Sequence, residues 1–260
     1  MLVLGGGFAG IGAAQKLKKS DVEVVVVDKH DYHTFQPLLY QVATGLLEQP
    51  AVGHPIRDLF HEQENARIHQ DRVISVDFDA REVTFEELEP TTYDYLVFAL
   101  GAEVNFFGVE GAADHAFPLY TLPDAVRLKN QVLRSWEEAD RRPELVEDGA
   151  LNVVVVGGGP TGVETAGAMA ELYNGVFKKD YPDVPRDQAK IILVEAGPEL
   201  FPMFKAPSSI RSGLRSAASQ LCRTCSFSRT ASASVYSGNA CSGAPSTPKK
   251  LTSAPSPKTR

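Results

Sequence analysis

The feature that most constrains this chain is a pattern that occurs twice. Leu2-Val3-Leu4 runs into Gly5-Gly6-Gly7-Phe8-Ala9-Gly10, and Val153-Val154-Val155-Val156 runs into Gly157-Gly158-Gly159-Pro160-Thr161-Gly162. Both loops read G-x-G-x-x-G, and an alanine, Ala14 or Ala166, follows the last glycine by four residues. In such a loop the first glycine permits a tight turn and the second lets the backbone approach a pyrophosphate. Small residues then let the helix pack on the sheet, with its free N–H groups facing the anion. A lone motif of this kind also fits an ordinary glycine turn. Here each copy follows a strand and opens a helix, and the next strand ends in an acid. Val22 to Val27 leads to Asp28, and Ile191 to Val194 leads to Glu195. An acid at that position accepts from a ribose hydroxyl. After Glu195 come Ala196-Gly197-Pro198 with no Lys or Arg, a setting that prefers NADH over NADPH.

The rest of the first 205 residues alternates strand and helix. Val73 to Phe78 and Arg81 to Phe85 predict a hairpin turning at Asp79-Ala80, and Tyr95 to Leu100 predicts a buried strand. Pro123 to Ala139 has helical spacing, with Val126, Lys129 and Leu133 on the face of Trp136 and a capping box of Thr121 with Asp124. A polar, proline-containing excursion from Asn174 to Ala189 lengthens the second unit. The expected fold class is α/β, with two Rossmann-like dinucleotide-binding units in three layers, the second incomplete. The expected division is an FAD-binding domain over 1–110, a partial NADH-binding domain over 111–205, and an unstructured low-complexity tail over 206–260. Only three residues precede the first loop's glycines as strand, so a start upstream of Met1 is expected.

Charge marks the tail. Residues 1–205 hold 18 Lys or Arg against 33 Asp or Glu, whereas 206–260 hold 8 basic residues and no acid. The tail also carries 14 serines and all three cysteines, with too few large apolar side chains to offset the entropy of ordering it. A net charge of −7 argues against nucleic acid as a partner. No apolar run is long enough for a membrane span, and no secretion signal precedes Leu2. Cys222-Arg223-Thr224-Cys225 lacks a second pair for zinc, and His30 and His33 lack a third ligand, so no metal site is expected. Glu62, Glu64, Glu86 and Glu87 read as solvated faces. No C-x4-C follows the first helix, which excludes a flavin disulfide reductase.

Four segments together resemble one family: Gly5 to Gly10, Phe35-Gln36-Pro37-Leu38-Leu39-Tyr40-Gln41-Val42-Ala43-Thr44-Gly45, Tyr93-Asp94-Tyr95-Leu96-Val97, and Gly157 to Glu164. They are similar to the type II NADH:quinone oxidoreductases, flavoproteins with two dinucleotide-binding units. The resemblance covers about residues 1–205. It implies a peripheral membrane enzyme, on the cytoplasmic or the mitochondrial matrix side, that passes a hydride from NADH to FAD and then electrons to quinone without pumping protons. It implies FAD at Gly5, Gly7, Phe8, Ala9, Gly10, Asp28 and Lys29, with Thr44, Ala99 and Gly101 toward the flavin. It places NADH at Gly157, Gly159, Pro160, Thr161, Gly162 and Glu195. Glu164, expected on the first turn of its helix, is placed where nicotinamide meets flavin; the other reading is an acid favoured by the helix dipole. Leu100 stands where the family usually has threonine. The family's second flavin motif, quinone segment and C-terminal amphipathic helix do not follow Lys205, which suggests a frameshift near Ala206 rather than a genuine tail. Poor FAD retention is then expected. The alternatives are a reductase of another acceptor and an inactive nucleotide-binding remnant. Oligomeric state is not legible.

Overall fold

The computed structural model describes residues 1–196, Leu200, and the backbone of 226–230 and 233–237. The chain divides into two compact units, Met1–Gln131 and Val132–Arg260, a division that falls inside a long helix.

The first unit runs β1 (Leu2–Leu4), α1 (Phe8–Lys16), β2 (Val24–Asp28), β3 (Tyr32–Thr34), α2 (Leu39–Ala43), β4 (Gly53–Pro55), α3 (Ile56–Leu59), β5 (Ala66–Gln70), β6 (Val73–Asp77), β7 (Glu82–Phe85), β8 (Thr91–Thr92), β9 (Leu96–Phe98) and α4 (Ala112–His115), and reaches the start of α5 (Leu122–Arg141). A parallel sheet in the order β5-β2-β1-β9 forms its middle layer. Alternation along β1 and β2 decides what each face meets. Val3, Val24 and Val26 turn toward Ile11 and Ala14 of α1, with Ile56 and Phe60 closing that core. Leu2, Leu4 and Val27 turn the other way, onto Val83 and Phe85 of the antiparallel sheet β6-β7-β8. The result is helix, parallel sheet and antiparallel sheet in three layers. Burying each of these Val, Leu and Ile side chains contributes about 1.5–3 kcal/mol.

The predicted hairpin is present, with Asp77 accepting from the Asp79 and Ala80 N–H groups at its turn. Asp71, in the turn before it, accepts from the N–H groups of Arg72, Glu87 and Leu88. Burial alone raises its pKa, but those backbone donors outweigh it and hold the carboxyl below the ordinary range. The strand predicted as buried over Tyr95 to Leu100 is shorter and half open. β9 is an end strand, and Tyr95 and Phe98 are 65% and 61% exposed.

The second unit continues with α5, β10 (Val153–Val156), α6 (Pro160–Asn174), α7 (Phe177–Asp180), β11 (Ile191–Glu195), β12 (Ser226–Thr230) and β13 (Ala233–Ser237). Its sheet order is β10-β11-β13-β12, parallel between β10 and β11 and antiparallel beyond. The last two strands lie in the stretch expected to be unstructured. The rest of that stretch, including Cys222 and Cys225, lies outside the described residues.

The capping box on α5 forms as expected: Asp124 Oδ2 accepts from Thr121 N–H at 2.9 Å, and Thr121 Oγ1 faces Asp124 N–H at 3.3 Å. Its buried face is one residue out of phase with expectation. Leu122, Ala125, Val132, Trp136 and Ala139 are buried, while Leu133 is 39% exposed. Counting from Trp136, three- and four-residue steps reach 132 and 139, and the fully buried indole fixes that phase. Part of the excursion after α6 is ordered by the same indole. Phe177 and Tyr173 pack on Trp136 with ring centroids 4.7 Å away.

Tyr173 donates to the Leu151 carbonyl at 3.3 Å, and burial pushes its phenol up to about 12. The folded state therefore holds the proton more tightly than the unfolded state does. The contribution of Tyr173 to stability is flat below pH 10 and falls from pH 10 toward 12 as the unfolded phenol ionises first. In urea unfolding followed by the single tryptophan, Tyr173→Phe is expected to show a shallower loss over that window. Identical slopes in both proteins would refute this account.

Candidate functional site

The two glycine loops repeat each other atom for atom in their main contacts. Gly5 N–H donates to the Val27 carbonyl and Gly157 N–H to the Val194 carbonyl, both at 2.8 Å. Each acceptor precedes the acid that ends its strand. Gly5 and Gly157 have φ of +106° and +114°, a region that excludes most side chains. The third glycine of each loop explains why the helix can start where it does. A Cβ on Gly10 would land on the Gly5 carbonyl oxygen, and one on Gly162 on the Gly157 carbonyl oxygen. Gly7 and Gly159, by contrast, have open space where a side chain would be. Both adopt extended backbone as the N-caps of α1 and α6, with no capping side chain. That leaves the first N–H groups of each helix without an acceptor of their own. Gly7, Phe8 and Ala9 are exposed around the first opening. A methyl-sized space facing exposed, acceptor-seeking N–H groups suits a diphosphate. In the second loop Pro160 takes the first helical position, where its missing N–H costs little, and Thr161 is exposed beside it.

The acids sit where expected, and both also fasten their loops. Asp28 Oδ2 accepts from Gly6 N–H at 2.6 Å, and its Oδ1 accepts from His30 N–H at 2.7 Å. Glu195 Oε2 accepts from Gly158 N–H. Because β1 parts from β2 on one side and β9 on the other, the first loop lies at the switch point of the sheet, where α/β folds bind nucleotides. Ala99 donates to the Leu4 carbonyl at 2.8 Å, and its own carbonyl fills the space a Gly5 side chain would need. Gly5, Gly7, Phe8, Ala9, Gly10, Asp28 and Ala99 thus form one cluster. Lys29 is exposed next to the acid, and Gly101 is exposed with φ of +78°.

Two expected positions differ in detail. Thr44 is buried, and its hydroxyl donates back to the Tyr40 carbonyl at 2.9 Å, so it closes its own helix α2. Glu164 is exposed, but no acid lies in the first turn of α6. The helix starts at Pro160, and at 3.6 residues per turn the fifth residue belongs to the second turn, where the dipole acts less.

Two side-chain contacts with the first loop escaped the sequence reading. His33 is buried with Nδ1 3.0 Å from the Gly6 carbonyl oxygen, and the end of Ile56 occupies the space beside Gly6. Both come from the β3–β4 ribbon and its exit, and no local pattern links them to Gly6, which lies 27 residues before His33 and further still from Ile56. Phe8 meets the His33 and Phe35 rings edge-on at 4.8 and 5.5 Å. Among the described residues no group of three or more His, Cys, Asp or Glu is placed to hold a metal. No described helix is long and apolar enough to cross a membrane.

Comparison with known proteins agrees with this geometry. The chain is 35% identical over 222 residues to the type II NADH:quinone oxidoreductase Ndh of Mycobacterium tuberculosis, a match covering 84% of this chain and 47% of that one. It is 34% identical over 217 residues to the external alternative NADH-ubiquinone oxidoreductase of Yarrowia lipolytica mitochondria, covering 78% and 37%. The structure of NDH2 from Plasmodium falciparum in complex with NADH is similar at a TM-score of 0.76 and 25% identity, over 85% of this chain and 46% of that one. The chain thus spans about half the length of the curated relatives it matches. The family resemblance read from the motifs is met by these relatives. The pyridine nucleotide-disulphide oxidoreductase family matches residues 1–217, and the chain belongs to that family.

Proposed function

We propose that the chain binds FAD at the first glycine loop and NADH at the second, and that it oxidises NADH with quinone as the final acceptor. The observation that carries this reading is the duplicated loop geometry: an open second glycine, acceptor-seeking helix N–H groups, and a strand-end acid, twice in one chain. The names of the M. tuberculosis, Y. lipolytica and P. falciparum relatives support the choice of NADH and quinone. FAD would supply the hydride-accepting and electron-passing chemistry. The protein's part is to bind and orient. Gly7, Phe8 and Ala9 present N–H groups to the FAD diphosphate, and Gly159 and Thr161 do so for NADH. Asp28 keeps carboxylate lone pairs for a ribose hydroxyl besides those that hold its loop, and Glu195 stands at the equivalent strand end for the ribose of NADH. Lys29, Thr44, Ala99 and Gly101 belong to the flavin side of this reading, and Glu164 to the nicotinamide side. The domain assignment follows, with FAD over 1–110 and NADH over 111–205. Peripheral contact with a membrane, facing the cytoplasm or the mitochondrial matrix, completes it.

The test is to follow NADH loss with a soluble quinone while FAD is kept in the assay, and to measure the flavin left on the chain after the excess is removed. Turnover that depends on both added FAD and quinone is expected, with little flavin retained once the excess is gone. Reduction of a small redox protein but not of quinone would replace the acceptor in this reading. Absence of bound flavin and of turnover would leave a nucleotide-binding remnant.

Two substitutions separate folding from binding. Gly7→Ala meets open space, so its melting temperature should match wild type while FAD binding is lost. Gly10→Ala strikes backbone and should cost about 1–3 kcal/mol of stability. Equal stability of the two variants would overturn the packing argument.

Glu195→Gln keeps an acceptor for Gly158 N–H and removes the charge that repels a 2′-phosphate. The preference for NADH over NADPH, measured as a ratio of dissociation constants, should narrow by about tenfold, or 1.4 kcal/mol. An unchanged ratio would mean that another group reads the 2′ position.

A further inference from the structure

The Gly6 peptide groups are tied at both ends. The N–H of Gly6 goes to Asp28 at 2.6 Å, as the repeat requires, but its carbonyl goes to a residue from outside the repeat, His33. A carbonyl only accepts, so the His33 Nδ1 must carry the proton in this contact. His33 is 9% exposed on β3, paired with His54 of β4, and its ring is held edge-on at 87° by Phe8. The ribbon is itself anchored at both ends. Phe35 N–H donates to the Val52 carbonyl at 2.7 Å, and Ile56 N–H to the Asp31 carbonyl at 2.8 Å. Ile56 then closes the remaining side of Gly6.

We infer that His33 positions the first nucleotide loop, its Nδ1–H holding the Gly6 carbonyl so that the Gly7 N–H faces the ligand's phosphate. The reason is peptide planarity. The peptide bonds of the described residues are trans, and in a trans unit the C=O and the following N–H point in opposite directions. Fixing the Gly6 carbonyl toward His33 therefore aims the Gly7 N–H away from it, at the edge of the opening. Pre-aimed donors lose less entropy when a ligand binds. The second loop is built differently at the equivalent place. His33 lies five residues after Asp28, and five residues after Glu195 is Leu200, which packs beside Gly158 but has no side-chain donor. Among the described residues the donor is thus found at the first loop. A pre-aimed loop suits a ligand retained through turnover, and the second loop suits one that exchanges. His33 is a positioning residue, acting through Gly6 and Gly7 and not on the reacting atoms.

This inference rests on the assignment of FAD to the first loop, and the experiment separates the two. Dissociation constants for FAD and for NADH are measured on the full chain by flavin and nicotinamide fluorescence, together with melting temperatures. His33→Phe keeps the ring against Phe8 and lacks the donor. His33→Asn lacks the ring and keeps an N–H donor. FAD binding is expected to weaken about tenfold in His33→Phe and to stay within about threefold of wild type in His33→Asn. NADH binding, at the other loop, should be the same in all three. Wild-type FAD affinity in His33→Phe overturns the inference, as does an equal fall for both ligands, which would report a global defect. If His33→Phe fails to fold, His33→Asn decides alone: retained affinity supports the role and lost affinity refutes it. A wild-type chain that binds no FAD overturns the assignment of FAD and the inference with it.

Discussion

The α-carbon of Gly10 rests against the carbonyl oxygen of Gly5, with no space between them for a methyl group. That one close approach sets where α1 leaves the sheet. It brings Ile11 and Ala14 down onto Val3 and Val24, and so lets the helix share a core with the strands. It also turns the backbone so that Gly7 faces outward while Gly5 and Gly6 are buried. Packing and binding capacity thus come from the same contact, and the second unit repeats it between Gly162 and Gly157. The acids complete the arrangement. By accepting from Gly6 and Gly158, Asp28 and Glu195 join each loop to the end of the neighbouring strand, in parallel with the Gly5–Val27 and Gly157–Val194 backbone bonds.

Much of this was legible because its causes are local. Glycine at fixed offsets, a β-branched run and a strand-end acid are read over about thirty residues, and all of them are in place. The capping box is a four-residue matter and formed as read. What the sequence hid depends on distant partners. The phase of α5 is set by Trp136, whose neighbours Tyr173 and Phe177 lie some forty residues on, so the spacing alone placed Leu133 on its face where the structure buries Val132. The openness of β9 follows from its place at the end of the sheet order, which Tyr95 to Leu100 does not encode. β3 and β4 are three residues each, too short for any periodicity to declare them, and His33 arrives at Gly6 only through their pairing.

The first unit also shows how polar groups are spent in holding backbone. Asp71, Asp77 and Asp28 each accept from main-chain N–H groups at a turn or loop. Thr44 donates to the carbonyl of its own helix. The ion pairs, by comparison, lie on the surface: Lys18 with Glu62, Arg67 with Glu23 and Arg72 with Glu86 are all largely exposed. Such pairs contribute little, a median of about 0–1 kcal/mol, so the shape of the loops rests on carboxylates that accept from backbone N–H groups rather than on surface ion pairs.

The repeated contacts also separate geometry from chain length. Eighteen residues lead from Gly10 to Asp28, and thirty-three lead from Gly162 to Glu195, yet both acids reach the same N–H of their loops. The acid is delivered through the register of a parallel strand pair, Leu4 beside Val27 and Val156 beside Val194, and not through the connection. Extra residues after α6 fold outward as α7 and settle against Trp136. Lengthening a loop costs only about 0.6 kcal/mol per doubling. The link between helix and second strand is therefore the place where such a unit tolerates insertion, so that new segments can be grafted there over evolutionary time while the loop geometry is left intact.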